Sequence, residues 1–497
     1  MKTATIARIG GGSSYSGGSH SSSGGGHSYS GSSHSSGGSS YRGGGSSYGG
    51  GSCDGVSFGQ FVMAILVVIA FVYIKQKMAG ALSRALKQVP NPDHAFDETP
   101  ARLGKHSPAS QMQKSDPTFS ETLFLDFAGL LYARFHEARG SGDISMLAAY
   151  FSPELQARFG KVWVDREKRA LKDITGVVIG ACRIQAYKPW QEMEQLDVSF
   201  KANYTAVFGQ GSNDTQAYYV DETWSFQRKK GVVSRTPENV ERLGCPSCGS
   251  AIENRNLGQC GSCGNPVTPG QGDWYVATTR IGSLETRGPL LVGNVPEVGT
   301  EWPTVISPAL QTELQRLLQR HPDFSLDKFK AKVRSVFMAL QEGWSNLDLK
   351  QLRPHETDNI FQQHRFWIEE YRRQGLCNKM TNIVVQAIEY AKITTDAYYD
   401  VVTVRIHASM KDYTIRLSDH KPVAGSMNQT RPFTEYWTFV RSVAAKDTTS
   451  DATQCPSCGA QLNINQAGLC DYCRAKITRG QFDWVLSRID QDEEYLG

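Results

Sequence analysis

The stretch Cys245-Pro246-Ser247-Cys248-Gly249 opens a cysteine pattern that occurs twice in this chain of 497 residues. Both occurrences keep the spacing C-x2-C-x11-C-x2-C, and both are followed by an Asp-Trp dipeptide. The eight cysteines are Cys245, Cys248, Cys260, Cys263, Cys455, Cys458, Cys470 and Cys473. Two Cys-x-x-Cys turns present four thiolates to one ion, which is the tetrahedral ligand set of structural zinc. The spacing therefore predicts two zinc ribbons with one Zn²⁺ each.

Disulfide bonds are the alternative for paired cysteines, but quartets of Cys-x-x-Cys turns fit them poorly and they require an oxidising compartment. The three remaining cysteines, Cys53, Cys182 and Cys377, have no matched spacing, which favours a reducing compartment. Four thiolates fill the coordination sphere and leave no position for water, so the predicted zinc is structural. Such a site is worth about 10–16 kcal/mol, so each ribbon should need its metal to fold.

The composition before the first domain changes abruptly. Residues 1–55 are mostly Gly and Ser, too poor in apolar side chains to offset the entropy of ordering, which predicts a disordered tail. Residues 56–74 contain a continuous apolar run from Phe61 to Ile74. At the helical rise this segment reaches roughly the thickness of the hydrocarbon core, which predicts one transmembrane helix. A cleaved signal peptide is the alternative, but here the basic residues follow the apolar run.

The basic residues Lys75, Lys77, Arg84 and Lys87 come directly after the predicted span. Basic flanks remain on the cytoplasmic side, so the tail is predicted outside and everything after Ile74 inside. This orientation agrees with reduced, metal-bound cysteines. We interpret residues 75–115 as a basic juxtamembrane segment that contacts anionic lipid or solvent, followed by a proline-rich linker. The net charge of the chain, +4, is too small to indicate a nucleic-acid-binding protein.

Between the predicted span and the first ribbon, the apolar pattern changes from helical to alternating. Residues 123–135 show one apolar helical face, and a second helix is predicted over about 153–171. The segments 198–208 and 220–228 alternate apolar and polar residues, which predicts antiparallel strands. The same order returns with a helix around 329–344 and strands at 402–410 and 435–441. Helices followed by sheet indicate an α+β fold that occurs twice in tandem.

These patterns predict the following domain boundaries. The segments are a tail (1–55), a transmembrane helix (56–74), a basic segment and linker (75–115), a first α+β domain (116–240), a first zinc ribbon (241–282), a connector (283–320), a second α+β domain (321–450) and a second zinc ribbon (451–497).

Three short motifs resemble those of the Tim44-like proteins, bacterial relatives of a subunit of the mitochondrial inner-membrane protein translocase. They are Asp116-Pro-Thr-Phe119, the strand Glu222-Thr-Trp224-Ser-Phe226, and the Cys-Pro-Ser-Cys-Gly ribbon that ends in Asp-Trp. The connector Gly299-Thr-Glu-Trp-Pro303 and the Gly/Ser-rich head before one span are also typical of those proteins. The chain departs from the pattern in two places: His321 stands where Asp116 would, and Arg474 replaces the glycine that follows the other Cys-x-x-Cys turns.

The resemblance implies two tandem cone-shaped domains, similar to nuclear transport factor two, with helices around a curved sheet and an apolar pocket. It also implies a single-pass protein of the bacterial inner membrane whose C-terminal domains lie in the cytoplasm. The family role that follows is an adaptor that binds a protein client or membrane lipid. Because the domain is doubled and ribbons are added here, the mitochondrial role itself does not transfer.

Candidate functional residues inside the domains are few. Glu222 and Glu435 lie on the aromatic face of their strands, where a lone carboxylate is costly. Each is either a pocket acid for a cationic or amide ligand, or the partner of a nearby arginine, Arg228 or Arg441. We favour the ion pair, because perturbed carboxylates are often structural. His136 has no equivalent histidine in the second helix, and no nucleophile elbow or phosphate loop occurs.

Three functions are consistent with this pattern. The first is a non-enzymatic membrane adaptor with structural zinc, for which no small-molecule substrate is assigned. The second is a small-molecule-binding or enzymatic cone, which would need a closed pocket with convergent polar groups. The third is a nucleic-acid-binding ribbon, but the stretch from Gly249 to Pro266 in the first ribbon offers one basic residue, Arg255, so nucleic acid is not an expected partner.

Overall fold

A computed structural model describes most of the chain after residue 101. The described residues are 102–103, 107–159, 169–190, 192–209, 214–237, 243–250, 258–288, 291, 297–445 and 454–497. The predicted tail (1–55), the predicted span (56–74) and the basic residues that follow it lie outside these ranges. Within them, no helix is both long and apolar enough to cross a membrane.

The first half of the described chain, here called repeat one (residues 107–285), places helices on one face of an antiparallel sheet. Its elements are α1 (Pro108–Ser115), α2 (Glu121–Ser141), a 3-10 helix (Ser145–Tyr150), α3 (Pro153–Phe159), β2 (Leu171–Pro189), β3 (Met193–Phe208), β4 (Thr215–Lys229) and β5 (Tyr275–Glu285), preceded by the short β1 (Arg102–Leu103). The strand order is β2-β3-β4-β5. Helix α2 begins after Ser120, whose hydroxyl accepts the Leu123 N–H, and ends at Gly142 with φ 76°.

The second half, repeat two (residues 297–495), repeats this arrangement. Its elements are β6 (Val305–Ile306), α4 (Leu310–Arg320), α5 (Leu326–Ser345), α6 (Leu349–Leu352), a 3-10 helix (Arg353–His355), α7 (Asp358–Arg373), β7 (Leu376–Thr395), β8 (Tyr399–Arg416), β9 (Pro422–Gly425), β10 (Arg431–Ser442) and β11 (Val485–Gln491). The strand order is β11-β10-β8-β7, with β9 paired to β8. Both of these sheets are antiparallel throughout, and β1 and β6 form a separate two-residue parallel pair. The predicted mixed α and β architecture with antiparallel sheets is therefore confirmed.

The last strand of each sheet follows the cysteine quartet in sequence. Strand β5 pairs with β4, and β11 pairs with β10. Each ribbon is thus inserted between the last two strands of its sheet and does not follow the domain as a separate unit. The predicted ends of the domains at 240 and 450 consequently lie before the end of each sheet, because alternation alone does not show which strands pair.

Two other predicted boundaries differ from the structure. The helix predicted over 153–171 ends at Phe159 in the described residues, and Leu171 already begins β2. The predicted connector 283–320 contains α4, whose Leu310 and Leu317 are buried in the core of repeat two. The strands predicted at 198–208, 220–228, 402–410 and 435–441 and the helices around 123–135 and 329–344 are confirmed.

The two repeats share a packed boundary. Helix α7 of repeat two lies against β2 of repeat one, where the Gln363 side-chain amide donates to the Gly180 carbonyl at 3.1 Å. Val440 of β10 belongs to the core of repeat one, whereas its neighbour Phe439 belongs to the core of repeat two. Because side chains alternate along a strand, the outer face of the second sheet covers part of repeat one.

Candidate metal centres and buried polar groups

The four Cys-x-x-Cys turns share one backbone geometry. In each, the N–H of the residue after the second cysteine donates to the carbonyl of the first cysteine at 2.8–2.9 Å. That residue has a positive φ in every turn: 74° at Gly249, 71° at Gly264, 73° at Gly459 and 63° at Arg474. Within the same turns, the N–H groups of Ser247 and Ser262 point to Cys245 Sγ and Cys260 Sγ at 3.4 Å each.

The turns bring four sulfurs together in each ribbon. Within each quartet, the sulfurs all lie within 4.8 Å of one another. Cys245 and Cys263 have their Sγ atoms 3.8 Å apart, Cys248 and Cys260 3.7 Å, and Cys455 and Cys473 3.8 Å. A disulfide requires about 2.05 Å, so these cysteines are thiols. A tetrahedron of Zn–S bonds of about 2.3 Å has an edge of about 3.8 Å, so the two clusters fit a metal ion such as zinc.

The first ribbon is attached to the helical layer of repeat one. The Tyr150 hydroxyl donates to the Gly244 carbonyl at 2.6 Å, one residue before the first cysteine of the quartet, Cys245. Arg235 donates to the same hydroxyl at 2.6 Å and forms an ion pair with buried Asp273. Trp274, the residue after Asp273, packs edge-on against Phe124 of α2, with ring centres 5.3 Å apart. The Asp-Trp motif therefore returns the chain from the ribbon into the core.

The second ribbon is attached to the start of α7. Arg353 donates to the Gln466 carbonyl of the ribbon at 2.9 Å and forms an ion pair with Asp358. Lys476 of the ribbon contacts the same carboxylate at 2.6 Å. Burial would raise the pKa of Asp358, but these two cations lower it below the usual value. Trp484 packs against Phe329 of α5 with ring centres 5.0 Å apart, the counterpart of Trp274.

The predicted pair between Glu222 and Arg228 does not form in the described residues. Arg228 instead contacts Asp116 at 2.7 Å and Glu194 at 3.3 Å, and its guanidinium lies 4.5 Å from the Trp274 ring. Burial would raise the pKa of Asp116, but hydrogen bonds from neighbours that include Arg228 lower it. The partners lie far from Arg228 in sequence, which is why spacing along one strand did not reveal them. Arg228 joins α1, the sheet and the chain leaving the ribbon.

Glu222 lies in an aromatic interior. Its carboxylate accepts the Trp224 indole N–H at 2.8 Å, and His136 Nε2 is 3.9 Å away. Burial raises the pKa of Glu222 above its ordinary value, and the indole hydrogen bond offsets part of this effect. Burial lowers the pKa of His136 well below its ordinary value, so the ring is neutral at pH 7. His136 is a fully buried core residue.

Repeat two reproduces the acid without the histidine. Glu435 accepts the Trp437 indole N–H at 2.9 Å, and Gln491 donates to the same carboxylate at 3.4 Å. Arg441 lies over the Trp484 ring at 5.0 Å, as Arg228 lies over Trp274. The two candidate acids thus have the same local role, which is to accept the indole N–H of the tryptophan two residues later on the same face.

At the position of Asp116 in repeat one, repeat two has His321, and the acid is on a strand of the sheet. His321 Nε2 lies 2.8 Å from Asp400, and Arg320 contacts the same carboxylate at 2.7 Å. The departure noted in the sequence at His321 is therefore compensated by an acid on the adjacent sheet. Sequence reasoning missed Asp400, because its partner lies in a different element.

Comparison with known proteins identifies the domain of repeat two. Residues 310–450 match the family model of the Tim44-like domain, so the chain contains a Tim44-like domain from α4 to beyond β10. The matched range ends before Cys455 and does not include either cysteine quartet. A search of curated proteins gave no match.

Proposed function

We propose that this chain is a non-enzymatic scaffold of the Tim44 type, anchored in the bacterial inner membrane by residues 56–74. In this proposal its two cone-shaped domains bind a protein client or lipid on the cytoplasmic side, and the tail is outside. The observation that supports it most directly is the Tim44-like domain at residues 310–450. The apolar run at 61–74 and the basic residues after it support the anchor and its orientation.

Repeat one is proposed as a second cone of the same kind. Its sheet order, the glutamate–tryptophan bond and the arginine over the tryptophan after the ribbon all have counterparts in repeat two. We propose that each quartet holds one structural Zn²⁺. When bound, the ion would cross-link the two turns of its ribbon, and four sulfur ligands leave no position for a substrate. Neither nucleic acid nor a small-molecule substrate is part of this proposed role.

Site-specific thiol labelling in intact cells tests the anchor. A cysteine is introduced at Ser40, in the tail, or at Gln111, exposed on α1, in a chain whose Cys53 is serine, and the modified position is located by peptide mass spectrometry. A membrane-impermeant maleimide should modify the cysteine at 40 and modify the one at 111 only after the cells are opened. Modification at 111 in intact cells would disprove the orientation.

Crosslinking in native membranes tests the scaffold role. A photo-crosslinking residue at exposed positions of repeat two, such as Met338 and Leu417, should give discrete protein or lipid adducts in membranes. The same residue in the ribbon at Tyr472 serves as a comparison surface. Recovery of the chain without any specific adduct, together with a catalytic turnover that survives in the purified protein, would favour an enzyme.

A further inference from the structure

A cavity of about 850 Å³ lies between the two repeats, outside the interior of either cone. Its walls are the outward face of α2, the middle of β2, helix α7 and the outer face of the second sheet. Cavities of 300–1,000 Å³ with an apolar lining and a few placed polar groups are typical ligand sites. The volume of this cavity lies within the range that is typical of small-molecule binding sites.

Small side chains and an irregular strand leave this space open. Helix α2 presents Gly129 and Ala133 to the cavity, and β2 presents Gly176, which has a φ of 62°. The pairing of β2 with β3 shifts between Thr175 and Val178 and again between Ile179 and Ala181. Such bulges bend a strand and increase its twist, so the middle of β2 curves where α7 approaches.

Apolar side chains from both repeats line much of this space. They are Leu125, Leu130, Val177, Ile179, Phe366, Val401 and Val440. An apolar body entering the cavity would therefore be removed from water on several sides, at about 25 cal/mol for each Å² of apolar surface buried.

The cations around the cavity differ in how they are paired. Arg183 and Arg488 each contact Asp490 at 2.8 Å, and Arg365 contacts Glu369 at 2.8 Å. Lys392 of β7 has no hydrogen-bond or ion-pair partner anywhere in the described ranges. Burial lowers the pKa of Lys392, although the carboxylates of Glu121 and Asp490 oppose this effect from a distance. The Lys392 side chain is partly buried, so its ammonium group has lost part of its hydration without gaining a direct polar contact among the described residues.

Lys392 and Thr394 lie on the same face of β7, because side chains alternate along a strand. Ile393, between them, points into the core of repeat two. The ammonium and the Thr394 hydroxyl thus offer two donors beside the apolar lining. A desolvated ammonium gains most from an anionic acceptor at hydrogen-bond distance, because such charge-assisted bonds are the stronger ones.

We propose that the cavity between the repeats binds a small organic anion with an apolar body, whose acidic head group contacts Lys392 and Thr394. The apolar body lies against the residues of α2, β2 and the second sheet that line the space. The site is separate from the cone interiors and from the cysteine clusters. It stands whether or not the chain is a membrane scaffold, since it depends only on the contacts between the repeats.

Fluorine NMR of a trifluoromethyl-labelled octanoate tests this assignment on the full-length chain in nanodiscs, with empty nanodiscs subtracted. The labelled octanol is the uncharged counterpart. We expect saturable binding of the carboxylate, at least tenfold tighter than binding of the alcohol. Lys392→Met should weaken carboxylate binding about tenfold, Lys392→Arg should retain it within a few-fold, and neither should change binding of the alcohol.

Two further variants separate the site from general effects. Lys411→Met removes another partly buried lysine of the second sheet that does not line the cavity, and it should bind as the natural chain does. Ala133→Phe fills the cavity from the surface of α2 with Lys392 intact and should abolish binding of both probes. Equal loss in Lys411→Met and Lys392→Met, unchanged binding in Ala133→Phe, or no saturable carboxylate binding to the natural chain would each overturn the proposal.

Discussion

Arg474 occupies a backbone conformation that glycine provides in the other three Cys-x-x-Cys turns. Its φ of 63° lies in the left-handed region, which costs a residue with a side chain roughly 1–2 kcal/mol. The Arg474 N–H nevertheless makes the same bond to the first cysteine of its turn, at 2.9 Å. The second ribbon therefore keeps its geometry at the expense of local strain.

Exchanging these residues measures that strain. Arg474→Gly should stabilise the second ribbon by about 1 kcal/mol and tighten its metal affinity about fivefold. Gly264→Arg is the reverse change at the equivalent position of the first ribbon, and it should weaken metal binding there by a similar factor. No atom lies within 4 Å of the added Cβ, so the cost is the backbone strain alone and not a steric clash. Chelator competition on each variant gives both affinities. A weaker site in Arg474→Gly would mean that the arginine side chain itself supports the ribbon.

Glu222 provides a second test at the level of one side chain. Burial raises its pKa in the folded chain above the ordinary value of 4.5, so the folded protein holds the proton more tightly than the unfolded chain. The contribution of Glu222 to stability is therefore present below about pH 4.5 and declines as pH rises toward its folded pKa. Relative to Glu222→Gln, which keeps an acceptor for Trp224, the natural chain should lose stability over that pH range. Chemical denaturation between pH 4 and pH 8 measures the difference.

Glu222→Leu is the control for this interpretation. It removes the acceptor as well as the charge and leaves the buried Trp224 N–H without its bond, which should cost about 1–3 kcal/mol at all pH values. If Glu222→Gln also lost that much at neutral pH, the ionised carboxylate itself would be the stabilising form.

The residues that could be predicted from the sequence are those whose partners lie nearby or whose type is rare. The eight cysteines, and the face shared by Glu222 and Trp224, follow from spacing and alternation. The partners of Arg228 could not be predicted in this way, because Asp116 and Glu194 reach it only through the packing of α1 and the neighbouring strand. Pairing between distant charges depends on the fold, and no local pattern encodes it.

Among the elements, the ribbons are insertions within the sheets. Alternation identified β3, β4 and β8, and the match to β4 identified β10, although β10 is buried on both faces from Phe433 to Arg441. Alternation did not identify β5 or β11, since each is short or exposed along one edge and follows the cysteine quartet. A metal ion bound to each cysteine cluster would therefore close the loop between the last two strands of each sheet, and a closed loop lowers the entropy cost of pairing them.

Replacing one cysteine of a quartet should lower the stability of the strand that follows it. Cys470→Ser should reduce the metal content from two Zn²⁺ to one per chain and increase hydrogen exchange in β11 while leaving β5 unchanged. Cys260→Ser is the matched variant and should affect β5 alone. Metal analysis and hydrogen-exchange mass spectrometry measure both effects. Equal protection of β11 with and without its metal would show that the sheet forms independently of the ribbon.

At the scale of the whole molecule, the end of the second sheet holds the two repeats together. Arg183 of β2 contacts Asp490 at 2.8 Å and Glu494 at 2.6 Å, and Lys201 of β3 contacts Glu494 at 3.1 Å. Burial would raise the pKa of Glu494, but Arg183 and Lys201 lower it below the ordinary value of 4.5. The repeated order of helices and strands could be predicted from the sequence, whereas this contact between the two repeats could not, because it joins residues about three hundred positions apart.

Removing the arginine should weaken this boundary. Arg183→Met leaves two acidic groups without their main partner and should destabilise the chain by about 2 kcal/mol, less than a fully buried pair because Arg183 is partly exposed. Lys188→Met, on the same strand and well exposed, should cost less than about 1 kcal/mol. Thermal unfolding at neutral pH compares the two. Equal stability of both variants would show that the ion pairs of Arg183 contribute little to the free energy of unfolding.

The same contact predicts an acid dependence. Since the folded pKa of Glu494 is lowered, its stabilising contribution is present above about pH 4.5 and is lost as pH falls through the folded value. The difference in unfolding free energy between the natural chain and Glu494→Gln should therefore shrink on acidification from pH 5 to pH 3. A difference that stays constant over this range would contradict the lowered pKa.

The position of Asp490 and Glu494 in the chain has a consequence for biosynthesis. Both acids are translated after everything else that they contact, including β2 of repeat one. While the ribosome is still producing β11, repeat one can complete its own sheet, but the ion pairs that join the two repeats have not yet formed. The cavity between them is therefore complete only after this segment has been synthesised. A polypeptide that stopped before Asp490 would lack part of the cavity wall and the ion pairs between the repeats.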